Sequence, residues 1–146
     1  MINELGNALR EILAAFGIEA AHLEMTHSDV HQVEGALCTV TGLVESSGEK
    51  RGILSLEFDE AAASFLLGIM IGDPEGLSSE MGLSALSELA TMLCGSFLTR
   101  LNLALIATPP TGIAGKRVQG ILNTMPVQKI SLQLGKGTLV AGLSIS

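Results

Sequence analysis

The chain has 146 residues, with 8 Lys and Arg against 15 Asp and Glu, a formal charge of -7, 47% apolar residues and no Trp or Tyr. That length and apolar share predict a single domain over residues 1–146 with a core needing neither disulfides nor metal, which excludes disorder and a cross-linked mini-protein. A surface of this charge repels phosphate backbones, and with Phe as the only aromatic there is little for a base to stack on, so no nucleic acid is expected as a partner.

The first segment places Ile2, Leu5, Leu9, Ile12, Leu13 and Phe16 at three- and four-residue steps with polar residues between them and Gly17 after them. This spacing predicts an amphipathic helix with a glycine stop. Ile18 to Met25, where His22 and Glu24 alternate with Leu23 and Met25, predicts a short strand. Val33 to Val44 is rich in β-branched residues, and after Ser46-Ser47-Gly48-Glu49 comes Gly52 to Phe58 with Leu54, Leu56 and Phe58 on one side. Two antiparallel strands joined by a turn are expected there. Asp59 is placed to cap a helix from Glu60 to Ile71, which Gly72-Asp73-Pro74 ends. A third helix is expected from about Ser79 to Leu101, followed by a buried strand from Leu103 to Ala107 that Pro109-Pro110 terminates. Thr111 to Thr124, with Gly112, Gly115 and Gly120, predicts a mobile loop or irregular crossing. Val127 to Leu134 and Thr138 to Ile145 around Gly135-Lys136-Gly137 predict a terminal hairpin.

Several other functions find little support. The longest apolar runs, Phe65 to Ile71 and Leu103 to Ala107, fall far short of the ~20 residues of a membrane span, and no secretory leader is expected at the start. Cys38 and Cys94, each among apolar neighbours, predict buried free thiols in a reducing cytoplasm. His27 and His31 lie four apart near His22, but without cysteines around them they predict a solvated loop rather than a metal site. Gly112 to Lys116 lacks the glycine and hydroxyl positions of a phosphate loop, leaving Lys116 and Arg117 as solvated charges or a minor contact to an acidic partner.

The third helix carries more information. At about 100° per residue, Leu86, Leu89, Ala90, Leu93, Phe97 and Leu101 share one side, which is expected to pack on the sheet. Ser84, Glu88, Thr91 and Gly95 line up on nearly the opposite side and are expected to face solvent, with Glu80 and Thr99 at the margins. An interior glycine costs a helix roughly 0.5–1 kcal/mol relative to alanine, so Gly95 on an exposed side suggests close approach of something to the backbone. Residue pattern alone leaves a polar stripe available for docking, and leaves open that Gly95 and Glu88 have no role.

The run from Ser84 to Gly95 resembles the signature helix of the CheC/CheX/FliY chemotaxis phosphatases, in which an acid or serine is followed by Glu after four residues, Asn after three more and Gly after a further four. The order of elements, the Pro110-Thr111-Gly112 turn and the hairpin opening at Pro126-Val127 resemble CheX most. The resemblance implies an α+β fold, a single antiparallel sheet with packed helices, and a homodimer whose sheets meet edge to edge. It also implies hydrolysis of the aspartyl phosphate on a CheY-like receiver domain in the cytoplasm. The receiver brings the Mg²⁺, so this chain is expected to need no cofactor of its own. In that role Glu88 would pair with the receiver's active-site lysine, while Ser84 and Gly95 would shape the contact. The family's water-aligning asparagine is replaced by Thr91, whose hydroxyl is shorter and tends to bond back to the carbonyl of Ser87 or Glu88. Losing one well-aimed group commonly costs on the order of 10²–10³ in rate. Two functions are therefore carried forward: a receiver phosphatase using Glu88 and Thr91, and a receiver-binding or flagellar interaction module without turnover.

Overall fold

The computed structural model describes residues 1–20, 22–102 and 104–146. Helices α1 (Ile2–Ala15), α2 (Glu60–Met70) and α3 (Glu80–Leu101) pack on one antiparallel sheet. The expected α+β architecture is present. The strands are β1 (Glu24–Ser28), β2 (His31–Glu45), β3 (Arg51–Phe58), β4 (Leu105–Ala107), β5 (Thr111–Asn123), β6 (Val127–Leu134) and β7 (Gly137–Ile145). Their spatial order is β1-β6-β7-β3-β2-β4, and β5 also pairs with β2. This sharing is possible because β2 is 15 residues long. One of its edges pairs with β3 over Leu37 to Val44, while the other takes β5 against His31 to Val40 and β4 against Leu43 to Glu45.

Periodicity explains the core. Leu5, Leu9, Ile12 and Leu13 of α1 and Leu86, Leu89, Leu93 and Phe97 of α3 meet Leu37, Leu43, Leu54, Leu56 and Phe58 from the sheet in one buried cluster. Burying each such side chain contributes about 1.5–3 kcal/mol. At 22 residues α3 spans about 33 Å, long and apolar enough by composition to cross a membrane, but its apolar side lies against the sheet.

Two close approaches fix the ends of the helices. Asp59 caps α2 by accepting a hydrogen bond from the Ala62 amide at 2.8 Å, and its other oxygen accepts one from Thr138 at 2.9 Å, tying helix to hairpin. At α3, the Ser79 hydroxyl accepts from the Gly82 amide at 3.0 Å and donates to the Gly76 carbonyl at 2.7 Å. A Cβ on Gly82 would lie 1.8 Å from that carbonyl oxygen, so the turn before α3 requires glycine there.

Four expectations need correction. The strand expected at Ile18 to Met25 begins at Glu24; Ile18, Ala20 and Leu23 instead pack against the core as irregular backbone, and Ala21 lies outside the described residues. Strand β1 is exposed along its whole length, which leaves it no apolar alternation. The expected buried strand from Leu103 is an edge piece of three residues in which Leu105 is buried and Ile106 is 65% exposed; Leu103 lies outside the described residues. Thr111 to Asn123 is a strand of 13 residues rather than a loop. Its residues are almost all exposed, so pairing to β2 through the backbone left no hydrophobic pattern.

The fourth correction concerns His31, which is fully buried at the start of β2 instead of solvated in a loop, whereas His27 is exposed in β1. Its Nδ1 lies 2.8 Å from the Ser144 hydroxyl and its Nε2 2.7 Å from the Ser55 hydroxyl. A Cβ on Gly142 would stand 2.8 Å from Ser55 Oγ and 3.0 Å from His31 Nε2, so the bare glycine makes room for the ring. Burial, reinforced by the Lys129 cation, pushes the His31 pKa down to about 4 and keeps the ring neutral.

Candidate functional site

The outer side of α3 presents Ser84, Glu88, Thr91 and Gly95, all exposed, with Glu80 and Thr99 extending the row at its margins. The helix brings these residues together by its own repeat, since steps of four, three and four return to nearly the same direction. On the inner side Leu86, Leu89, Leu93 and Phe97 are fully buried, which fixes the rotation of the helix. The row is therefore held on a rigid element.

Among the described residues nothing lies within 4 Å of a Cβ built on Gly95. Packing within the fold thus gives no reason for glycine at this position, and the space beside its backbone is open to the outside. The ion pairs among the described residues, His22 with Glu24, Arg100 with Glu4 and Glu11, Arg117 with Glu34 and Lys129 with Glu57, do not include Glu88. Its carboxylate is free for an external cation.

Thr91 behaves as its place in a helix predicts. Its hydroxyl donates to the Ser87 carbonyl at 3.3 Å, and Thr99 does the same to Gly95 at 2.9 Å. The Thr91 oxygen keeps its acceptor capacity, but the hydroxyl is turned along the helix rather than outward. Asn102 does not compensate. It ends α3 in a left-handed conformation with φ 52°, about three turns beyond Thr91.

Strand β5 flanks the row. A Cβ on Gly112 would lie 3.1 Å from Ser87 Oγ, so the start of β5 is seated against α3; Thr111 and Gly112, expected in a turn after Pro110, are the first residues of that strand. Beyond Ser84 the flank opens into a groove of about 730 Å³ between α2, the segment Pro74 to Ser78, Leu83 of α3 and Ala114 to Lys116 of β5. Sequence reasoning missed this groove, because its walls come from separate segments and the residues that leave the gap, such as Ala36, Ser64 and Ala114, are small. Lys116 is on its wall, while Arg117 is turned away to Glu34, 2.8 Å apart.

Other chemistry is poorly served. Burial pushes the Cys94 thiol up to about 11, and burial together with Glu57 does the same for Cys38, so both are protonated, unreactive thiols at neutral pH. Among the described residues no three His, Cys, Asp or Glu side chains come together as metal ligands.

The comparisons with known proteins agree with this architecture. A putative chemotaxis protein from Desulfovibrio vulgaris Hildenborough superimposes with a TM-score of 0.84 at 18% identity, covering 99% of this chain and 96% of that one. A chemotaxis protein CheX from Desulfovibrio desulfuricans gives 0.82 at 18% identity, covering 99% and 97%. A third similar structure is the CheX-CheY-BeF3-Mg²⁺ complex from Borrelia burgdorferi, at 0.75, 17% identity and coverage of 99% and 96%. No curated protein matches the chain. The family described as chemotaxis phosphatase CheX matches residues 40–124, a stretch that runs from β2 through the whole of α3 to the end of β5. With more than half its length matched, this chain belongs to the CheX family.

Proposed function

We propose that the chain docks on a phosphorylated CheY-type receiver domain through Ser84, Glu88, Thr91 and Gly95 and promotes hydrolysis of its aspartyl phosphate. The observation that carries this is the open space at Gly95 in line with Glu88, which no cation pairs among the described residues, on a helix whose rotation is fixed by its buried side. Glu88 pairs with the receiver's active-site lysine, and Gly95 lets the partner's backbone approach. Thr91 stands in the place that orients the attacking water. The receiver supplies Mg²⁺ and the phosphorylated carboxylate, so docking and water alignment are the contributions asked of this chain. A partner of this kind places the chain in the cytoplasm. It has an analogue in the CheY held in the Borrelia burgdorferi complex. Pairing of two copies edge to edge belongs to the same proposal, with the 13-residue, largely exposed β5 as the longer available edge.

One observation favours a second function, a receiver-binding module with little turnover. The Thr91 hydroxyl is committed to the Ser87 carbonyl, so a water over the partner's phosphate is less well held. Phosphate release from a receiver loaded with acetyl phosphate and Mg²⁺ separates the two. Activity in the parent that collapses in Glu88→Ala supports the phosphatase. An inactive parent whose Thr91→Asn variant gains on the order of 10²–10³ in rate supports the binding module. Parent, Glu88→Ala and Thr91→Asn all failing to bind or to accelerate hydrolysis would remove both.

A further inference from the structure

We infer that the groove beside the first turns of α3 receives an apolar side chain of the docked receiver, flanked by a lysine or arginine, and so helps select which receiver is bound. This rests on the receiver-docking proposal above. Ala36 floors the groove and Ser64, Pro74, Leu77, Leu83 and Ala114 wall it. The small residues among them leave the gap: where larger side chains would fill the space between α2 and β5, this chain places Ala36, Ser64 and Ala114. Its volume, about 730 Å³, is ample for one or two side chains.

Two observations identify the occupant. The first is continuity. Leu83 is the neighbour of Ser84, the first residue of the exposed row, and β5 runs from its contact with Ser87 at Gly112 directly to Ala114 and Lys116 in the groove wall. A protein that covers Ser84 and Glu88 overhangs the groove. The second is charge. Glu60 and Glu75 stand on the groove wall, Glu80 and Glu88 follow along α3, all four exposed, and none belongs to an ion pair among the described residues. Against them, among the described residues lining the groove, stands the cation of Lys116. A slot with Ala36, Pro74, Leu77 and Leu83 in its floor and walls and an acidic rim suits an apolar side chain next to a basic one. A small polar ligand is less well served, because the slot has no buried charged group to orient it.

The test is the affinity of CheY-type receivers, loaded with Mg²⁺ and beryllofluoride, for four proteins: the parent, Ala114→Phe to fill the groove, Glu60→Lys to reverse its rim, and Glu88→Lys. Ala114 is exposed, so Ala114→Phe should keep the parent's melting temperature, while Glu60→Lys, which puts a cation in the first turn of α2 in place of an acid, should lower it by only a few degrees. Ala114→Phe is expected to weaken binding about tenfold, as loss of a buried anchor does. Glu60→Lys should weaken it several-fold at low salt and less at high salt. Groove variants that bind like the parent, while Glu88→Lys has lost binding, would overturn the groove inference and leave the docking proposal standing. A parent that binds no receiver, or a Glu88→Lys variant that binds like the parent, would instead remove the docking proposal on which the groove inference rests.

Discussion

His31 and Glu88 are polar side chains in opposite situations. His31 has no exposure, and serine hydroxyls meet both of its ring nitrogens. Glu88 is exposed and has no cation beside it among the described residues. The fold accounts fully for the first, including the bare Gly142 under the ring. It gives no account of the second or of Gly95. Where a fold explains a residue, altering it should lower stability; where it does not, altering it should cost the fold nothing and change what the protein binds.

The largest expected effect follows from the buried side of that comparison. His31→Ala opens a gap in the core and removes the partner of the Ser55 hydroxyl, while Ser144 keeps the hydrogen bond it accepts from Asn123, so denaturant unfolding should show a loss of about 2–4 kcal/mol. Acid should act on the same residue more gently. The ring titrates near its ordinary 6.5 when unfolded but only at about 4 when folded, so the unfolded chain binds the extra proton between those values. Stability should therefore be unaffected by His31 above pH 6.5 and fall as the pH drops from there toward 4. Denaturation midpoints at pH 7 and pH 5 should differ more for the parent than for His31→Gln.

On the exposed side the effects on stability shrink and change sign. Gly95→Ala should raise stability by about 0.5–1 kcal/mol, since alanine favours the helix and none of the described residues obstructs a methyl group, while receiver binding weakens. Glu88→Gln should alter stability by less than about 0.5 kcal/mol yet reduce receiver affinity. A loss of stability on Gly95→Ala would mean that the fold, after all, requires that glycine.

Much of this architecture was legible in the sequence where burial imposes a period. The step pattern of Leu5, Leu9 and Leu13 and of Leu86, Leu89 and Leu93 marked two helices, and Asp59 marked the start of a third. The alternation of Leu54, Leu56 and Phe58 marked β3. The exposed row of the site was legible for the same reason, because its residues share one helix. Strands β1 and β5 were not, since edge strands exposed on both sides carry no alternation. His31 was misread because its partners lie 24 and 113 residues away and nothing local distinguishes it from a solvated histidine. The groove was invisible for a related reason: its walls come from distant segments, and its defining property is what small residues leave empty.

The central claim, that the outer side of α3 is the surface applied to a phosphorylated receiver, is tested most directly by amide NMR. Adding unlabelled receiver with Mg²⁺ and beryllofluoride to the isotope-labelled chain should shift the signals of Ser84, Glu88, Thr91 and Gly95 most, with little change along β1 and β6. Withholding beryllofluoride should weaken the response. A response centred elsewhere, or none at any receiver concentration, would contradict the account.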